Sequence, residues 1–114
     1  MQIPLSRPDI SPREKELIDE VLASPYLSMG PMLKRFEEST ATFIGSKEGI
    51  GISSGTAGLH LTMKCLDLDP GDEVITTPLS FIASSNCILY ERATPVFVDV
   101  DPLTLNMSPD LIEE

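Results

Sequence analysis

The sequence predicts an α/β protein in which two N-terminal helices precede a βαβαβ unit. Two helical patterns with their own start and stop signals occupy the first 46 residues. Short apolar runs then alternate with helical stretches about every 20 to 25 residues, as in successive βαβ units. We therefore expect an N-terminal helical segment over residues 1–46 and an incomplete α/β domain over residues 47–114.

Composition and charge exclude several classes of partner. The chain has 114 residues and a net charge of −10, from 8 Lys and Arg against 18 Asp and Glu. This charge has the wrong sign for binding a nucleic-acid backbone or an anionic membrane surface. Pro78 interrupts the longest uncharged stretch, 74–90, so no membrane-spanning helix is expected. The N-terminus lacks a secretory-signal pattern, so the expected location is cytoplasmic.

The two N-terminal helices have clear boundary signals. Ser11, Pro12 and Glu14 form a capping residue, a first-turn proline and a capping-box acid, and this helix should end before Pro25. A second helix should begin at Pro31. Gly45 follows its last apolar residues and should end it.

Three parallel strands are expected after these helices, over residues 49–53, 73–77 and 95–100. The helix between the first two strands has two apolar rows, so it should be covered on both sides. A further helix should follow Pro78, and Ser108 and Pro109 mark the start of another that the chain's end at Glu114 cuts short. In the helix between the first two strands, one apolar row comprises Leu59, Met63 and Leu66, and the other comprises Leu61, Cys65 and Leu68.

Neither the cysteines nor the acidic turn indicates a metal site. Cys65 and Cys87 lie 22 residues apart in apolar helical patterns, outside any C-x-x-C pair. We expect two buried free thiols rather than a disulfide. In the acidic turn over residues 67–72 the glycine is misplaced for a calcium loop, and Pro78 stands where the bidentate Glu is required. No metal ligand is predicted.

The segment 51–58, GISSGTAG, lies where a strand should lead into a helix, and it permits a hydrolase interpretation. Gly51, Ser53 and Gly55 match G-x-S-x-G, the nucleophile elbow of α/β-hydrolases. Ser53 would then need a histidine from a later loop. The only histidine, His60, is roughly 10 Å along the helix that follows, at 1.5 Å per residue. The hydrolase is therefore the weakest of the interpretations of this segment.

A phosphate-binding turn is the second interpretation of the same segment. Backbone N–H groups around Ser54, Gly55 and Thr56 would point at an anion held at the positive end of the helix. Gly55 would let the ligand approach the backbone without a Cβ in the way. A glycine-rich turn with no ligand explains the segment equally well, so both alternatives stay open on these residues alone.

A second segment, TTPLSF at 76–81, also follows a predicted strand. Ligands of open α/β sheets collect at the carboxyl ends of the strands. Phe81 is therefore either a core aromatic beneath a loop or a flat face for a planar ring. Asp99 and Asp101 close the third strand, where a carboxylate pair is either catalytic or, more often, a solvated or capping pair.

Four motifs in register resemble one family over essentially the whole chain. SSGTAGLHL, TTPLSF and PVFVDVD, preceded by IPLSRPDIS near the start, resemble the DegT/DnrJ/EryC1/StrS family of pyridoxal-phosphate-dependent sugar aminotransferases. The resemblance implies the aspartate-aminotransferase type of fold, PLP fold type I. Proteins of this family are several times longer, so the chain corresponds to the N-terminal part of their large, cofactor-binding domain.

The resemblance also implies roles for individual residues. Gly55 and Thr56, directly after Ser54, fall in the family's turn for the phosphate of pyridoxal 5'-phosphate (PLP), and Phe81 matches the aromatic that stacks on the pyridine ring. The family's Schiff-base lysine and its pyridine-nitrogen aspartate follow the third strand, beyond any matching residue here. No catalytic residue is therefore predicted in this chain, and by itself it should be inactive.

The function implied is transfer of an amino group from an amino-acid donor to a keto sugar. The sugar would be nucleotide-linked and used in polysaccharide or antibiotic biosynthesis, and the full-length enzyme would be a homodimer. One alternative is a truncated, non-catalytic remnant or phosphate-binding module that keeps the phosphate turn. The other is the α/β-hydrolase with Ser53 as its nucleophile.

Overall fold

The structure, a computed structural model, describes residues 3–112 and divides the chain into two compact units. The first unit ends at Gly51 and the second begins at Ile52. The first contains two helices, and the second contains two further helices and a parallel pair of strands. Each unit is described by itself below.

The first helix, α1, spans Pro12–Leu22 and begins as its sequence predicts. The Ser11 hydroxyl accepts a hydrogen bond from the Arg13 N–H at 3.2 Å, and the Glu14 carboxylate accepts one from the Ser11 N–H at 2.6 Å. These two bonds satisfy N–H groups that the helix itself leaves unpaired. The predicted capping box is confirmed.

The second helix, α2, spans Pro31–Ile44 and ends where a glycine permits a left-handed residue. Gly45 has a φ of 77°, and its N–H donates to the Ala41 carbonyl at 2.9 Å. This arrangement is the common glycine termination of a helix. Ala41 is the buried residue of α2, whereas Phe43 is 92% exposed.

The predicted strand over residues 49–53 is wrong, because these residues form no strand in the structure. The N–H of Gly51 instead donates to the Glu37 carboxylate at 2.7 Å, a side-chain acceptor on α2 rather than a neighbouring strand. A Cβ at Gly49 would lie 2.6 Å from the Glu37 carbonyl oxygen. Close backbone packing against α2 therefore explains both glycines.

The second unit contains α3 (Gly55–Cys65), β1 (Glu73–Thr76), α4 (Ala83–Tyr90) and β2 (Thr94–Phe97). The two strands are parallel, as predicted, and Ile75 pairs with Val96 in the ladder. Both strands are shorter than the predicted ranges 73–77 and 95–100. The α4 helix connects them as a crossover, so the α/β class is confirmed, with two strands in the part of the chain that the structure describes.

The core of the second unit lies between the sheet and α4. Cys87, Ile88 and Ala93 are buried there, and Met63 and Val74 pack against them. The opposite sheet face carries Ile75 and Val96 along a cavity of about 500 Å³ that Leu111 and Ile112 also line. The described residues therefore cover the helical face of the sheet more completely than the other.

Only one of the two cysteines is buried. Both thiols are free, as expected, but Cys65 is exposed and Cys87 is 2% exposed. Cys65 is the last residue of α3, in the same row as Leu61, which is 51% exposed. The expectation of two buried thiols is wrong because Cys65 at the end of α3 is exposed, whereas Met63 of the same helix packs against the core.

The segment after β2 is a loop followed by a short 3-10 turn. Val100 and Met107 form an isolated antiparallel bridge, and Pro109–Leu111 form the turn. The helix expected from Ser108 is wrong over the described residues, because the 3-10 turn ends at Leu111 and Ile112 is extended, with φ −83° and ψ 110°. Residues 113–114, where the expected helix would continue, lie outside the described residues. Across residues 3–112, no helix has the length and apolar character needed to cross a bilayer.

Candidate functional site

The N-terminus of α3 is capped by its own serine. Ser54 is extended, with φ −166° and ψ 161°, and its hydroxyl oxygen accepts a hydrogen bond from the Ala57 N–H at 3.1 Å. The Gly58 N–H donates to the Ser54 carbonyl at 3.1 Å, which is the first hydrogen bond of the helix. The Ser54 hydroxyl hydrogen stays available to a ligand, because a hydroxyl donates as well as accepts.

Gly55 and Thr56 present two backbone N–H groups that the helix does not use. Both residues precede Gly58, where the i to i−4 ladder begins, so helix geometry gives their N–H groups no intrahelical partner. A Cβ built at Gly55 would meet no atom within 4 Å. This open space next to two unused N–H groups, at the positive end of a helix, suits an anion such as a phosphate.

Phe81 is exposed in the part of the chain that the structure describes. It lies between β1 and α4, and 74% of it is exposed. Within residues 3–112, the interpretation of Phe81 as a core aromatic beneath a loop therefore gains no support. The exposed ring offers a flat apolar face to a planar ligand.

A cleft of about 150 Å³ adjoins Phe81 at the carboxyl ends of the two strands. Thr77 directly follows β1 and Phe97 ends β2, so both strand ends contribute to it. Three serine side chains from the start of α4 and the loop before it also reach the cleft. These are Ser80, Ser84 and Ser85.

Chain topology places the start of α3 at this same sheet edge. The C-terminus of α3 leads through residues 66–72 into the amino end of β1, so α3 runs from the carboxyl edge towards the amino edge. The α4 helix begins at the carboxyl edge because it follows the C-terminal end of β1. The α3 helix packs against α4. Ser54, Gly55, Thr56 and Phe81 therefore share the edge where open α/β sheets bind ligands.

His60 belongs to a separate cluster and does not serve Ser53. Its Nε2 atom lies 2.8 Å from the Oε1 atom of Glu91, and its ring meets Tyr90 edge to face at 5.0 Å between centroids. Lys64 Nζ lies 3.3 Å from the other oxygen of Glu91. The hydrogen bond from His60, and then Lys64, lowers the pKa of Glu91 despite its partial burial. These contacts give Ser53 no general base, which argues against the hydrolase.

Asp99 and Asp101 are engaged by their own loop. The Asp101 carboxylate accepts N–H groups from Thr104 at 2.7 Å and Leu103 at 3.0 Å. The Thr104 hydrogen bonds and then the one from Leu103 lower the pKa of Asp101. Asp99 accepts the Val100 N–H at 2.7 Å. Both carboxylates stabilise the turn, so the capping interpretation holds and the catalytic one gains no support.

Sequence reasoning missed the other residues around Phe81. The Ser80 and Ser84 hydroxyl oxygens lie 2.7 Å apart, and Phe97 lines the cleft from β2. The spacing of four residues between Ser80 and Ser84 predicts a contact only if the residues between them are helical, because positions i and i+4 are neighbours on a helix. The first residue of α4 was not evident in the sequence, because Ile82 stands at its N-cap position and forms no side-chain hydrogen bond with the helix.

Comparison with known proteins gives one family over nearly the whole chain. Residues 8–114 match the DegT/DnrJ/EryC1/StrS aminotransferase family. A similar relative is the spore coat polysaccharide biosynthesis protein SpsC of Bacillus subtilis, 43% identical over 111 residues. The match covers 97% of this chain and 28% of SpsC, so the chain spans little more than a quarter of that relative.

Solved structures share the fold. Spr1654 of Streptococcus pneumoniae, assigned as a sugar aminotransferase and solved in its PLP form, superimposes with a TM-score of 0.90 at 34% identity. The alignment covers 97% of this chain and 28% of Spr1654. The Escherichia coli GDP-4-keto-6-deoxy-D-mannose-3-dehydratase with bound hydrated PLP gives 0.87 at 29% identity, over 94% of this chain and 29% of the dehydratase. The predicted PLP fold type I is confirmed.

Proposed function

Because the chain belongs to the DegT/DnrJ/EryC1/StrS aminotransferase family, we propose that it is the N-terminal part of a PLP-dependent sugar aminotransferase. One observation carries this proposal. The start of α3 combines open space at the Gly55 Cβ position with the unused N–H groups of Gly55 and Thr56, a combination that fits the cofactor phosphate.

Ser54, Gly55 and Thr56 bind the phosphate in this proposal. The two backbone N–H groups donate to its oxygens, and the Ser54 hydroxyl adds a donor while still accepting from Ala57. The helix dipole contributes roughly 0.3 to 1 kcal/mol for a negative group at this end. Phosphate binding here fixes one end of the cofactor against a rigid element of the fold.

Phe81 orients the other end of the cofactor. Its exposed ring lies at the same sheet edge as the phosphate turn and provides a face for the pyridine ring. When bound, PLP supplies an electron sink for making and breaking C–N bonds. Phe81 keeps the plane of that ring in a defined orientation and excludes water from one of its faces.

The catalytic lysine of such an enzyme lies outside this chain in our proposal. Lys64 is in the last turn of α3, nine residues or about 14 Å along the axis from Gly55, and is paired with Glu91. Lys47 is exposed in the first unit. We accordingly assign binding residues and no catalytic residue to the chain, which by itself should be inactive.

The proposed substrates are a nucleotide-linked keto sugar and an amino-acid donor. The names of two similar proteins support this class, since SpsC acts in polysaccharide biosynthesis and the dehydratase is named for a GDP-linked keto sugar. We also propose a homodimeric, cytoplasmic full-length enzyme. The alternative of a non-catalytic phosphate-binding module shares the phosphate turn and differs in lacking a lysine downstream.

Amino transfer in the full-length protein tests the function. The protein, loaded with PLP, is incubated with nucleotide-linked 4-keto sugars and each common amino acid, and products are identified by mass spectrometry. We expect replacement of the keto oxygen by an amino group with one preferred donor. A product that has lost a hydroxyl group would indicate a dehydratase instead, and PLP binding without any turnover would favour the non-catalytic module.

A further inference from the structure

Phe81 is held from both sides by the first turn of α4. The Ser84 N–H donates to the Phe81 carbonyl at 2.9 Å. The Ser80 and Ser84 hydroxyl oxygens, one residue before Phe81 and three after it, lie 2.7 Å apart. The two hydroxyls therefore close a bridge across the residue that carries the exposed ring.

No side-chain cap fixes the start of α4. Ile82 stands at the N-cap position of α4 and has no side-chain oxygen to accept a backbone N–H. An aromatic that is 74% exposed, next to a helix end without such a cap, has little else in its own unit to fix its backbone. Stacking on a planar ligand is strongest when the ring is ordered before the ligand arrives.

We propose that Ser80 and Ser84 are positioning residues that order Phe81 for the cofactor. The inference rests on the proposed function, because it takes Phe81 as the stacking residue. The serines act through Phe81 and the backbone next to it. One of the two hydroxyls donates to the other, and in this proposal both serve the cofactor site through Phe81 rather than by contact with the ligand.

The test measures PLP affinity and the visible circular dichroism of bound PLP in the full-length protein. We expect Ser80→Ala or Ser84→Ala to weaken PLP binding about three- to tenfold, the effect of one lost hydrogen bond. The circular dichroism of the bound cofactor should also decrease. Ser84→Thr, which keeps the hydroxyl, should restore both the PLP affinity and the circular dichroism. The melting temperatures of the Ser80→Ala and Ser84→Ala apo-proteins should match that of the Thr62→Val control variant.

The matched control is Thr62→Val. The Thr62 hydroxyl donates to the Gly58 carbonyl at 2.9 Å within α3, and Thr62 does not line the cleft beside Phe81. This variant should bind PLP with nearly wild-type affinity. Weakening equal to that of the Ser80 or Ser84 variants would overturn the proposal, because it would show that PLP binding responds to the loss of any hydroxyl hydrogen bond in this unit.

A double-mutant cycle with Phe81→Ala separates the two levels of the argument. In that background the loss of either hydroxyl should cost no further affinity, since there is no ring left to position. An equal loss in both backgrounds would overturn the positioning role and indicate direct contact with the ligand. Unchanged single serine variants, with Phe81→Ala still impaired, would refute the serines alone. Unchanged binding by Phe81→Ala would refute the stacking role and the serine proposal with it.

Discussion

The Nε2 atom of His60 lies 2.8 Å from the Oε1 atom of Glu91, which joins the middle of α3 to the residue after α4. The Glu91 side chain is only 14% exposed and also pairs with Lys64. Because α3 begins at the proposed phosphate turn and α4 follows Phe81, this contact stabilises the helix pair on which both parts of the proposed site depend.

Glu91 should make the stability of the fold depend on pH in the acid range. A carboxyl group with a lowered folded-state pKa stabilises the fold above its unfolded pKa of about 4.3, and this contribution disappears as the pH falls through the lowered value. We expect Glu91→Gln to lower the melting temperature of the full-length protein by a few degrees at neutral pH. The melting temperature should also vary less with pH in acid.

The control for this prediction is Glu16→Gln. Glu16 forms an exposed ion pair with Arg13 at 3.0 Å, of the kind that contributes little to stability. Thermal unfolding of both variants from acid to neutral pH provides the measurement. Identical curves for the two variants would show that the contact between His60 and Glu91 does not support the fold.

Two glycines packed on α2 should differ in their tolerance of alanine. A Cβ at Gly49 would lie 2.6 Å from the backbone carbonyl oxygen of Glu37, whereas one at Gly51 would overlap the Cδ1 methyl group of Leu33. A leucine side chain can rotate away, but a helix carbonyl cannot. We expect Gly49→Ala to destabilise the protein by about 1 to 3 kcal/mol and Gly51→Ala by less, measured by denaturant unfolding. The reverse order would contradict this packing.

The local elements were predictable from sequence because their signals are local. Ser11 with Glu14, and Gly45, determine helix ends through contacts within four residues, and the structure has both. The expected strand over residues 49–53 depended on a distant partner strand, which an apolar run does not specify. In the structure, the Gly51 N–H donates to the carboxylate of Glu37, which lies fourteen residues earlier in the sequence.

In the candidate site, too, the features with local sequence signals were predictable and the others were not. The helix start at Gly55 and the aromatic at Phe81 follow from residues next to a turn and a strand end. The bridge between Ser80 and Ser84 depends on where α4 begins, and a helix without a side-chain cap gives no sequence signal for its start. The engagement of Asp101 by its own loop likewise became evident only from the backbone geometry.

The isolated 114-residue chain should self-associate and have no aminotransferase activity. Ile75 on one sheet face and Phe97 at the cleft are 42% and 55% exposed, and the outer edges of β1 and β2 have no partner strand within residues 3–112. Open strand edges and apolar faces promote association. Size-exclusion chromatography and borohydride reduction after addition of PLP provide the measurements. A compact monomer that borohydride labels at one lysine would contradict the prediction.

Phe81 should require an aromatic face rather than a particular aromatic residue. In the full-length protein we expect Phe81→Tyr and Phe81→Trp to retain most of the PLP affinity. Phe81→Ala should weaken binding by about 1 kcal/mol beyond the loss of buried area, because an offset aromatic stack contributes this much. PLP titration followed by fluorescence compares the variants. Equal affinities for alanine and tyrosine at this position would exclude stacking.

The affinity of the full-length Gly55→Val variant for PLP tests the central claim most directly. Within residues 3–112 a Cβ at Gly55 meets no atom within 4 Å, so this part of the fold should remain intact in the variant. The valine methyl groups would occupy the space beside the N–H groups of Gly55 and Thr56. Thr62→Val is the control, since Thr62 is exposed on the same helix and its hydroxyl donates to the Gly58 carbonyl. We predict that Gly55→Val weakens PLP binding on the order of 100-fold while the control binds normally. Wild-type affinity in a folded Gly55→Val protein would contradict the assignment of this helix start as the phosphate site.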